Sequence, residues 1–528
     1  MKILLKTGMI RQEEAKMKKR EAVFCSVLVF FLLTTFAWCQ QAEVRILHVN
    51  DFHGFAEPYQ PFGSDELLGG IPYLAARVNE LRKEKPSLFL SAGDMIQGNN
   101  WANLFQGESV MEWMNEMRFD AMVVGNHEFD FGQEVLKKRI SEARFPILGA
   151  NVEGLDALKP YVIKELQGVK VALIGLVTED VPLSTLPLNV AGLRFVGPAE
   201  TAEKYIRELR EKADVVVVLS HIGFPADRAL AEKVRGMDVI VGGHSHAKIT
   251  KPVSVGKTLI VQAWEHGKAL GVLDLMIKDG KVIGFEGHLE EIRPERGKEE
   301  KASLAIMKKY KDRVDAVLNE RIGEAEMDLD GENVRKRETN LGNFIADIMR
   351  YASGADVTLI NGGGIRTSIK KGEVRVKDVY SVLPFDNYIV AIKLTGKQIK
   401  EALEHGVSAV EEGEGRFPQV SGLVFKYFPS GERGSRIREI SVAGRPIDLG
   451  GEYTVATNDF LAVGGDGYKA FGEAIKSSRD FSVVGGMMKG EKVVYSGSGR
   501  WLRDVVAEYI KERKRIAPKT EGRIVEIR

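Results

Sequence analysis

Five short apolar runs in this chain each end in residue types that bind metal ions. The runs cover residues 46–53, 88–94, 123–127, 217–221 and 239–246, and their polar ends supply Asp51, His53, Asp94, Asn126, His221, His244 and His246. The carboxyl ends of strands in an open α/β sheet meet at a common crevice, so side chains from distant parts of the sequence can converge there. Asp, His and Asn without a thiolate suit a pair of divalent metal ions. The pattern predicts one metal site built from five strand ends.

Each of these residues has a simpler explanation when it is taken alone. A single Asp or His after a strand is more often a turn or helix-capping residue than a ligand. Two pairs are more informative, because residues two apart at a strand end project the same way and can hold one ion together. These pairs are Asp51 with His53 and His244 with His246. Five strand ends with the same chemistry favour the metal site over coincidence.

The segments around these residues have the pattern of an α/β layer fold. Over residues 42–292, apolar strands such as 170–174 alternate with helical stretches such as 198–212. We expect this region to be a single metal-binding domain. A chain of 528 residues exceeds what one hydrophobic core usually supports, so a second domain is expected.

The rest of the chain predicts a joining helix and a second domain. Residues 296–321 are rich in Lys, Glu and Arg, and their apolar residues recur at spacings of three and four, which indicates an amphipathic linker helix. An ordinary solvated helix of either domain is the alternative. Residues 322–528 contain glycine clusters at 362–364 and 464–467 and are expected to form a separate α+β domain.

The amino-terminal segment has the pattern of an export signal. Residues 1–39 contain the basic stretch 16–20 followed by an almost wholly apolar run, 23–38, which predicts a secretory signal peptide cleaved before Gln40. We expect Met17 to be the true start, because it opens a more ordinary signal than Met1 does. An uncleaved membrane anchor is the alternative. Export to the periplasm or the cell exterior is expected, with no stable membrane association after cleavage.

Composition narrows the expected partners. Lys and Arg number 75 against 74 Asp and Glu, a formal charge of +1, so no field favours a nucleic acid polymer or an anionic membrane. Both cysteines, Cys25 and Cys39, lie in the signal segment, so the mature chain would have no disulfide or thiol chemistry.

The metal-site motifs, taken together, match a known family. The strings 50–54 (Asn-Asp-Phe-His-Gly), 93–94 (Gly-Asp), 125–130 (Gly-Asn-His-Glu-Phe-Asp) and 243–246 (Gly-His-Ser-His), together with His221, resemble the secreted bacterial 5′-nucleotidase and UDP-sugar hydrolase family. The resemblance covers nearly everything after the signal segment. It implies a two-sheet metallophosphoesterase sandwich of the calcineurin type with flanking helices, followed by a separate α+β nucleotide-binding domain.

The resemblance also implies roles for the first-domain residues. One divalent ion would take Asp51, His53, Asp94 and His246, and the other would take Asp94, Asn126, His221 and His244. Manganese, zinc, cobalt and magnesium all remain candidates for the pair. His127 would lie near the phosphate and be oriented by Asp130; the alternative is that Asp130 only caps the following helix.

In the second domain the resemblance implies a nucleotide site. Phosphate binding falls to Arg335, Asn361 and Arg366, base stacking to Phe385 and Phe460, ribose binding to Asp466, and base contacts to Asn387 and Gly422. Taken alone, each arginine would more often be a surface charge and each phenylalanine a core residue. The other histidines lack a ligand partner at suitable spacing and are expected to be structural or exposed: His48, His266, His288 and His405.

The expected function is a secreted two-metal phosphohydrolase that removes the phosphate of 5′-nucleotides by direct attack of metal-activated water, for nucleotide catabolism and scavenging. Nucleotide sugars or nucleoside di- and triphosphates are further candidate substrates. A 2′,3′-cyclic nucleotide 2′-phosphodiesterase with 3′-nucleotidase activity is the enzymatic alternative. A catalytically silent nucleotide-binding surface protein is the alternative from another class, and the sequence leaves the oligomeric state open.

Overall fold

The computed structural model of this protein describes Met17 and residues 42–527, apart from 62–63, 186, 479 and 485–486. The segment predicted to be a signal peptide, 1–39, therefore lies outside the described residues except for Met17. None of the described helices is both long enough and apolar enough to cross a bilayer.

The first half of the chain forms two facing sheets with short strands at their margins. Its strands are β1 (Ala42–Val49), β2 (Ser87–Ser91), β3 (Ala121–Val123), β4 (Ile147–Leu148), β5 (Val152–Glu153), β6 (Tyr161–Leu166), β7 (Val169–Val177), β8 (Arg194–Phe195), β9 (Val215–His221), β10 (Val239–Gly242), β11 (Val253–Val255), β12 (Thr258–Gln262), β13 (Ala269–Lys278) and β14 (Lys281–Glu291). One sheet has the order β14-β13-β1-β2-β3-β4 and the other β11-β12-β10-β9-β7-β6. The strands β5 and β8 pair separately.

Helices cover the outer faces of this sandwich. They are α1 (Ile71–Glu84), α2 (Asn100–Asn103), α3 (Glu108–Glu116), α4 (Gln133–Glu142), α5 (Val181–Ser184), α6 (Pro198–Leu209) and α7 (Phe224–Lys233), with short 3-10 turns at His127–Phe129 and Pro187–Val190. Because the central strands are covered on both faces, they are apolar without alternation, as β9 shows by being buried along its whole length.

The two sheets pack face to face, and the central strands within each sheet run parallel. Ile46 and Leu88 of one sheet pack in the same cluster as Leu173, Val217 and Val241 of the other. Strands β1, β2 and β3 run parallel, as do β9 and β10. Their carboxyl ends therefore emerge at one edge of the sandwich, where the predicted ligands lie.

The helix predicted between the domains is present, and most of its packing is against the first domain. Helix α8 (Lys301–Leu318) has Glu300 as its N-cap, and the Glu300 carboxylate accepts from the backbone N–H groups of Ala302 and Ser303. Tyr310 is buried in the first-domain core, and the indole N–H of Trp101 donates to Met307 O at 3.2 Å. Near its other end Asp315 accepts from Lys377 Nζ of the second domain at 2.7 Å, so the helix contacts both domains.

The second domain is a mixed α+β unit. Its strands are β15 (Arg321–Ala325), β16 (Val357–Asn361), β17 (Gly372–Arg375), β18 (Tyr388–Thr395), β19 (Pro418–Ser421), β20 (Leu423–Tyr427), β21 (Ile437–Val442), β22 (Arg445–Pro446), β23 (Glu452–Asn458), β24 (Ser482–Val484), β25 (Met487–Lys489), β26 (Val493–Trp501), β27 (Arg515–Ile516) and β28 (Ile524–Glu526). The central sheet has the order β19-β16-β23-β18-β26, and smaller sheets are formed by β17-β15-β27, β22-β21-β20-β28 and β24-β25.

Helices pack on the faces of the central sheet. They are α9 (Asn340–Ser353), α10 (Val376–Val382), α11 (Gly396–Gly406), α12 (Asp459–Ala462), α13 (Lys469–Lys476) and α14 (Leu502–Arg513), with 3-10 turns at Gly362–Gly364 and Gly465–Gly467. Two apolar clusters lie on either side of this sheet, one around Leu403 and Phe471 and the other around Ile345 and Ile510. The predicted architecture, a two-sheet sandwich followed by an α+β domain, is confirmed.

Candidate active site

Six of the seven predicted metal ligands form two adjacent clusters. The ligand atoms of Asp51, His53 and His246 all lie within 4.8 Å of one another, and so do those of Asp94, His221 and His244. The seventh, Asn126, joins the second cluster, because its Oδ1 lies 3.0 Å from Nδ1 of His244. The five strand ends thus converge as the sequence predicts.

Asp94 lies between the two clusters. Its Oδ2 is 3.1 Å from His221 Nε2 and 3.8 Å from His53 Nε2, and the Asp94 side chain is only 2% exposed. The loops are tied together by their backbones, since Asp51 N–H donates to Gly93 O and His53 N–H donates to Asp94 O, each at 3.0 Å. One carboxylate can therefore serve both clusters.

Backbone carbonyls orient two of the histidines. His53 Nδ1 lies 2.9 Å from Gln97 O and His221 Nδ1 lies 2.6 Å from Ala92 O. A carbonyl only accepts, so each Nδ1 carries the proton and each Nε2 keeps its lone pair. His221 Nε2 is buried and makes no hydrogen bond, although Asp94 Oδ2 lies 3.1 Å from it. A buried imidazole lone pair beside carboxylates fits a divalent cation, so the residues present suit a two-metal centre.

Five of the seven predicted ligands have left-handed backbone. The φ angles are 49° at Asp51, 50° at His53, 54° at Asp94, 72° at His244 and 53° at His246. This region is unfavourable for most residues, although Asp, Asn and His adopt it more readily than others do. These five residues lie in turns that follow the strands, and their side chains form the two clusters.

Glu128 holds two of the ligand loops together. Its buried carboxylate accepts from the backbone N–H groups of Asp94 at 2.9 Å and Gly125 at 2.5 Å through one oxygen, and from Met95 at 2.7 Å and Ile96 at 3.3 Å through the other. Burial and the negative charge of Asp94 raise the pKa of Glu128 to about 7. Sequence reasoning missed this role, although Glu128 stands within the 125–130 string.

His127 and Asp130 form a hydrogen-bonded pair at the edge of the clusters. His127 Nδ1 lies 2.6 Å from Asp130 Oδ2, and the backbone N–H of His127 donates to Asp94 Oδ1 at 2.9 Å. Burial alone would lower the pKa of His127, but the carboxylates of Asp130 and Asp94 raise it above its ordinary value. The capping alternative for Asp130 is wrong, because helix α4 has Gly132 at its N-cap and Asp130 accepts instead from Thr185.

Arg366 reaches from the second domain to the metal clusters. Its Nη2 lies 3.0 Å from His53 Nε2, and its guanidinium carbon lies 5.9 Å from the centre of the Phe385 ring. Burial and the positive charge of Arg335 lower the pKa of Arg366 to about 10. An arginine in this position presents a cation that needs an anionic partner.

A cleft of about 1760 Å³ runs from the metal clusters into the second domain. Its wall includes the predicted second-domain residues Arg335, Asn361, Arg366, Phe385, Asn387, Phe460 and Asp466. Asn361 Nδ2 donates to Asp466 Oδ2 at 2.6 Å, and burial raises the pKa of Asp466. Seven of the eight predicted substrate residues therefore share one cavity with the metal clusters.

Comparison with known proteins agrees with this geometry. Residues 44–248 match the calcineurin-like phosphoesterase domain, and residues 321–473 match the 5′-nucleotidase C-terminal domain. The human 5′-nucleotidase is 30% identical over 91% of this chain and 90% of its own length. This chain belongs to the 5′-nucleotidase family.

Two further relatives support the 5′-nucleotidase assignment. The trifunctional nucleotide phosphoesterase protein YfkN of Bacillus subtilis is 33% identical over 92% of this chain, which spans 35% of that relative's length. The crystal structure of a 5′-nucleotidase precursor from Thermus thermophilus is 34% identical, with a TM-score of 0.83, covering 92% of this chain and 99% of that one. The chain is a metallophosphoesterase hydrolase of this family, which confirms the family resemblance seen in the sequence.

One predicted substrate residue of this 5′-nucleotidase family member lies outside the cleft. Gly422 has a φ of 74°, and a Cβ there would lie 2.3 Å from Asp356 O and 2.7 Å from the Arg350 guanidinium. Gly422 thus serves a tight turn between β19 and β20. The cleft wall instead contains Gly415, which packs against Gly363 so closely that a Cβ on Gly363 would lie 2.9 Å from the Gly415 Cα.

Two histidines that we expected to be structural or exposed lie near the site. His266 is buried with its ring centre 5.9 Å from that of His53 and 6.0 Å from that of His246. His405 lines the cleft, and its Nε2 lies 2.7 Å from Asp466 O. The expectation holds for His48, which is buried, and for His288, whose side chain is 55% exposed.

Proposed function

We propose that this protein is an exported phosphohydrolase that removes the phosphate of 5′-nucleotides with the help of two divalent metal ions. The observation that carries the proposal is the contact between Arg366 and His53, which brings a second-domain guanidinium to the metal clusters inside one cleft. Metal ligands, a phosphate-binding group and aromatic side chains then line the same cleft of about 1760 Å³.

The residues of the chain have distinct parts in this reaction. When bound, two divalent ions would supply an activated water and stabilise the charge on the phosphoryl oxygens. Arg366 and Arg335 would bind the remaining phosphoryl oxygens bidentately and orient the phosphorus toward the metal clusters. His127, held by Asp130, would donate from Nε2 to the oxygen on which charge develops. Asp130 Oδ2, 2.6 Å from Nδ1, favours the imidazolium form, which can donate from Nε2.

The second-domain side chains would recognise the nucleoside. Phe385 and Phe460 would stack on the two faces of the base, an interaction that tolerates any base because each has a π face. Asp466, held by Asn361 at 2.6 Å and by His405 at its carbonyl, would accept hydrogen bonds from the ribose hydroxyls. Recognition of this kind favours a nucleotide over a simple phosphate ester.

The proposal is tested with metal-free protein covering residues 40–528. Phosphate release is measured from 5′-AMP, 3′-AMP and ATP after manganese, cobalt, zinc or magnesium is restored. For 2′,3′-cyclic AMP an added phosphatase reveals the monoester, and UDP-glucose is followed by chromatography. We expect metal-dependent release from 5′-AMP, with kcat reduced about 10²–10⁴-fold in His127→Gln, the range for loss of a proton-transfer group. The matched control His288→Gln changes an exposed histidine and should leave the rate unchanged.

Each other outcome supports a different function. Cleavage of 2′,3′-cyclic AMP and 3′-AMP, with no hydrolysis of 5′-AMP, would favour the 2′,3′-cyclic nucleotide 2′-phosphodiesterase with 3′-nucleotidase activity. Nucleotide binding without hydrolysis of any substrate with any metal would favour a silent nucleotide-binding protein.

Export is a separate part of the proposal and is supported by the sequence of residues 16–38 alone. Expression of the full chain in a bacterial host, followed by fractionation and amino-terminal sequencing, should give a periplasmic or secreted protein that starts at Gln40. A protein retained in the membrane with residues 1–39 intact would support the anchor instead.

A further inference from the structure

Glu265 contacts one predicted metal ligand from outside the clusters. Nε2 of His246 faces the first cluster, 3.5 Å from Asp51 Oδ1 and 3.3 Å from His53 Nε2. The other ring nitrogen, Nδ1, contacts Glu265 Oε2. A carboxylate only accepts when ionised, so this contact fixes the proton on Nδ1 and leaves Nε2 as the donor to a metal.

Lys268 holds the other oxygen of the same carboxylate. Lys268 Nζ donates to Glu265 Oε1 at 2.7 Å, and the Lys268 side chain is only 2% exposed. The ammonium lies 4.1 Å from the centre of the Trp264 ring and 5.6 Å from that of Tyr59. A lysine buried in this way needs a charged partner, and Glu265 is the carboxylate that reaches it.

The loop that carries Glu265 is tied to the loop that carries Asp51. Ala263 N–H donates to Asn50 Oδ1 at 2.7 Å, Asn50 Nδ2 donates to Trp264 O at 2.6 Å, and His266 N–H donates to Asp51 O at 2.7 Å. The residues on either side of Glu265 are held in left-handed backbone, with φ 62° at Trp264 and 56° at His266. Bulky residues are strained in that region, so the surrounding contacts impose this loop conformation.

We propose that Glu265, fixed by Lys268, is a positioning residue that sets the orientation and basicity of His246 and so strengthens only the metal site formed with Asp51 and His53. This inference rests on the proposed two-metal centre. Carboxylates that accept from a metal-bound histidine orient the ring and make it a better donor, and their loss commonly weakens metal binding about 10–100-fold. The described residues place no such carboxylate on the second cluster, since His221 Nδ1 contacts Ala92 O and His244 Nδ1 contacts Asn126 Oδ1.

The test is metal binding measured directly. Metal-free protein is titrated with manganese, zinc and cobalt by calorimetry and by competition with a chromophoric chelator, and the bound ions are counted by elemental analysis. We expect two ions in the unaltered chain. In Glu265→Gln we expect one dissociation constant to rise about 10–100-fold while the other stays within a factor of two or three. Glu265→Asp, which keeps the charge on a shorter stem, should recover part of the loss.

Three variants control this result. Glu291→Gln removes a comparable carboxylate that pairs with Lys248 on the surface, and both constants should stay unchanged. His266→Asn replaces the neighbouring histidine with a residue that tolerates left-handed backbone, and it should also leave two ions bound. If Glu265→Gln fails to fold because Lys268 is left buried without a partner, the double variant E265Q/K268M removes both charges and gives the same measurement.

Two results would overturn the inference alone. The first is that the unaltered chain binds two ions and Glu265→Gln binds them with the same two dissociation constants. The other is a third ion that disappears in His266→Asn, since His246, Glu265 and His266 would then themselves be a metal site. An unaltered chain that binds fewer than two ions would instead overturn the two-metal proposal, and this inference with it.

Discussion

Substitution of Glu128 by glutamine tests how the ligand loops are held. Each carboxylate oxygen accepts two backbone N–H groups, one oxygen from Asp94 and Gly125 and the other from Met95 and Ile96. Glutamine keeps one acceptor oxygen, but its NH₂ group would face two N–H donors whichever way the amide is turned. Two hydrogen bonds to a charged acceptor, worth about 1.5–3 kcal/mol each, would be lost.

Loss of these hydrogen bonds alone would cost about 3–6 kcal/mol. Because the pKa of Glu128 is raised to about 7, its ionised carboxylate already opposes folding by about 3 kcal/mol above pH 7, so the net destabilisation expected there is up to about 3 kcal/mol. It should appear in urea unfolding of the metal-free protein followed by tryptophan fluorescence. Three of the four tryptophans after residue 40 lie in the first domain, at positions 101, 113 and 264, so this signal reports mainly on that domain. Because Asp94 lies between the two clusters, we also expect both metal dissociation constants to rise at least about tenfold.

The control for this prediction is Glu134→Gln. The Glu134 side chain is 88% exposed and pairs with Lys137 on the surface, so its loss should change stability by less than about 1 kcal/mol. If Glu128→Gln unfolds within about 1 kcal/mol of the unaltered chain and binds metal equally well, the four N–H contacts do not hold the loops and the reasoning is refuted.

Three further changes have expected outcomes. In Gly98→Ala the new Cβ would lie 2.6 Å from the Cβ of His53, so calorimetry should show at least about tenfold weaker binding of one metal ion. The control Gly297→Ala, which also has a positive φ but no atom within 4 Å of the new Cβ, should bind both ions normally. Phe460→Ala should raise KM for 5′-AMP about 5–150-fold with little change in kcat, because stacking on a base contributes about 1–3 kcal/mol; an unchanged KM would show that this ring does not bind the base. Burial raises the pKa of Asp459 to about 7, so its ionisation in the folded state opposes folding as the pH rises from about 4 to about 7. Between pH 5 and pH 8, urea unfolding should therefore show Asp459→Asn gaining a few kcal/mol relative to the unaltered chain, and a pH-independent difference would contradict the shift.

The metal clusters could be predicted because each ligand lies just after the strand that positions it. The apolar run that ends at His221 is itself strand β9, so its buried pattern identifies both the strand and the place where it ends. Asp94 follows β2 by three residues and Asn126 follows β3 by three residues. Local sequence is sufficient to predict a ligand when the strand that positions it is its neighbour in the chain.

Glu265 was not predicted to contact the site, and His266 was expected to be structural or exposed, although both follow strand β12. In extended backbone adjacent side chains point to opposite faces, so a Glu-His dipeptide does not suggest two groups near one histidine. Both reach His246 because Trp264 and His266 adopt left-handed φ angles that turn the loop. The residue types of this dipeptide do not predict that turn.

Helix α8 and Gly422 show two other limits. Periodicity predicted the helix, but which domain it packs on depends on Trp101 and Tyr310, which are about two hundred positions apart in the sequence. Gly415 and Gly422 are both glycines in one short stretch, and only the close approach of Gly415 to Gly363 places it in the cleft. The packing of helix α8 and the place of each glycine depend on contacts between distant parts of the chain and on backbone conformation, which residue types alone do not predict.

The left-handed backbone at five ligand positions also constrains how this protein can evolve. The residues that tolerate that conformation best, Asp, Asn, His and Gly, include the very types that bind divalent ions through oxygen or imidazole. Substitutions at Asp51, His53, Asp94, His244 and His246 are thus most readily tolerated among these few residue types. Exchanges between those types would change which metal ion the site prefers. Glycine would relieve at most about 1–2 kcal/mol of backbone strain at each position, offset in part by the greater freedom of glycine in the unfolded chain, and it would abolish coordination. The strained backbone at these positions is thus retained for the ligands that it carries and not for the stability of the fold.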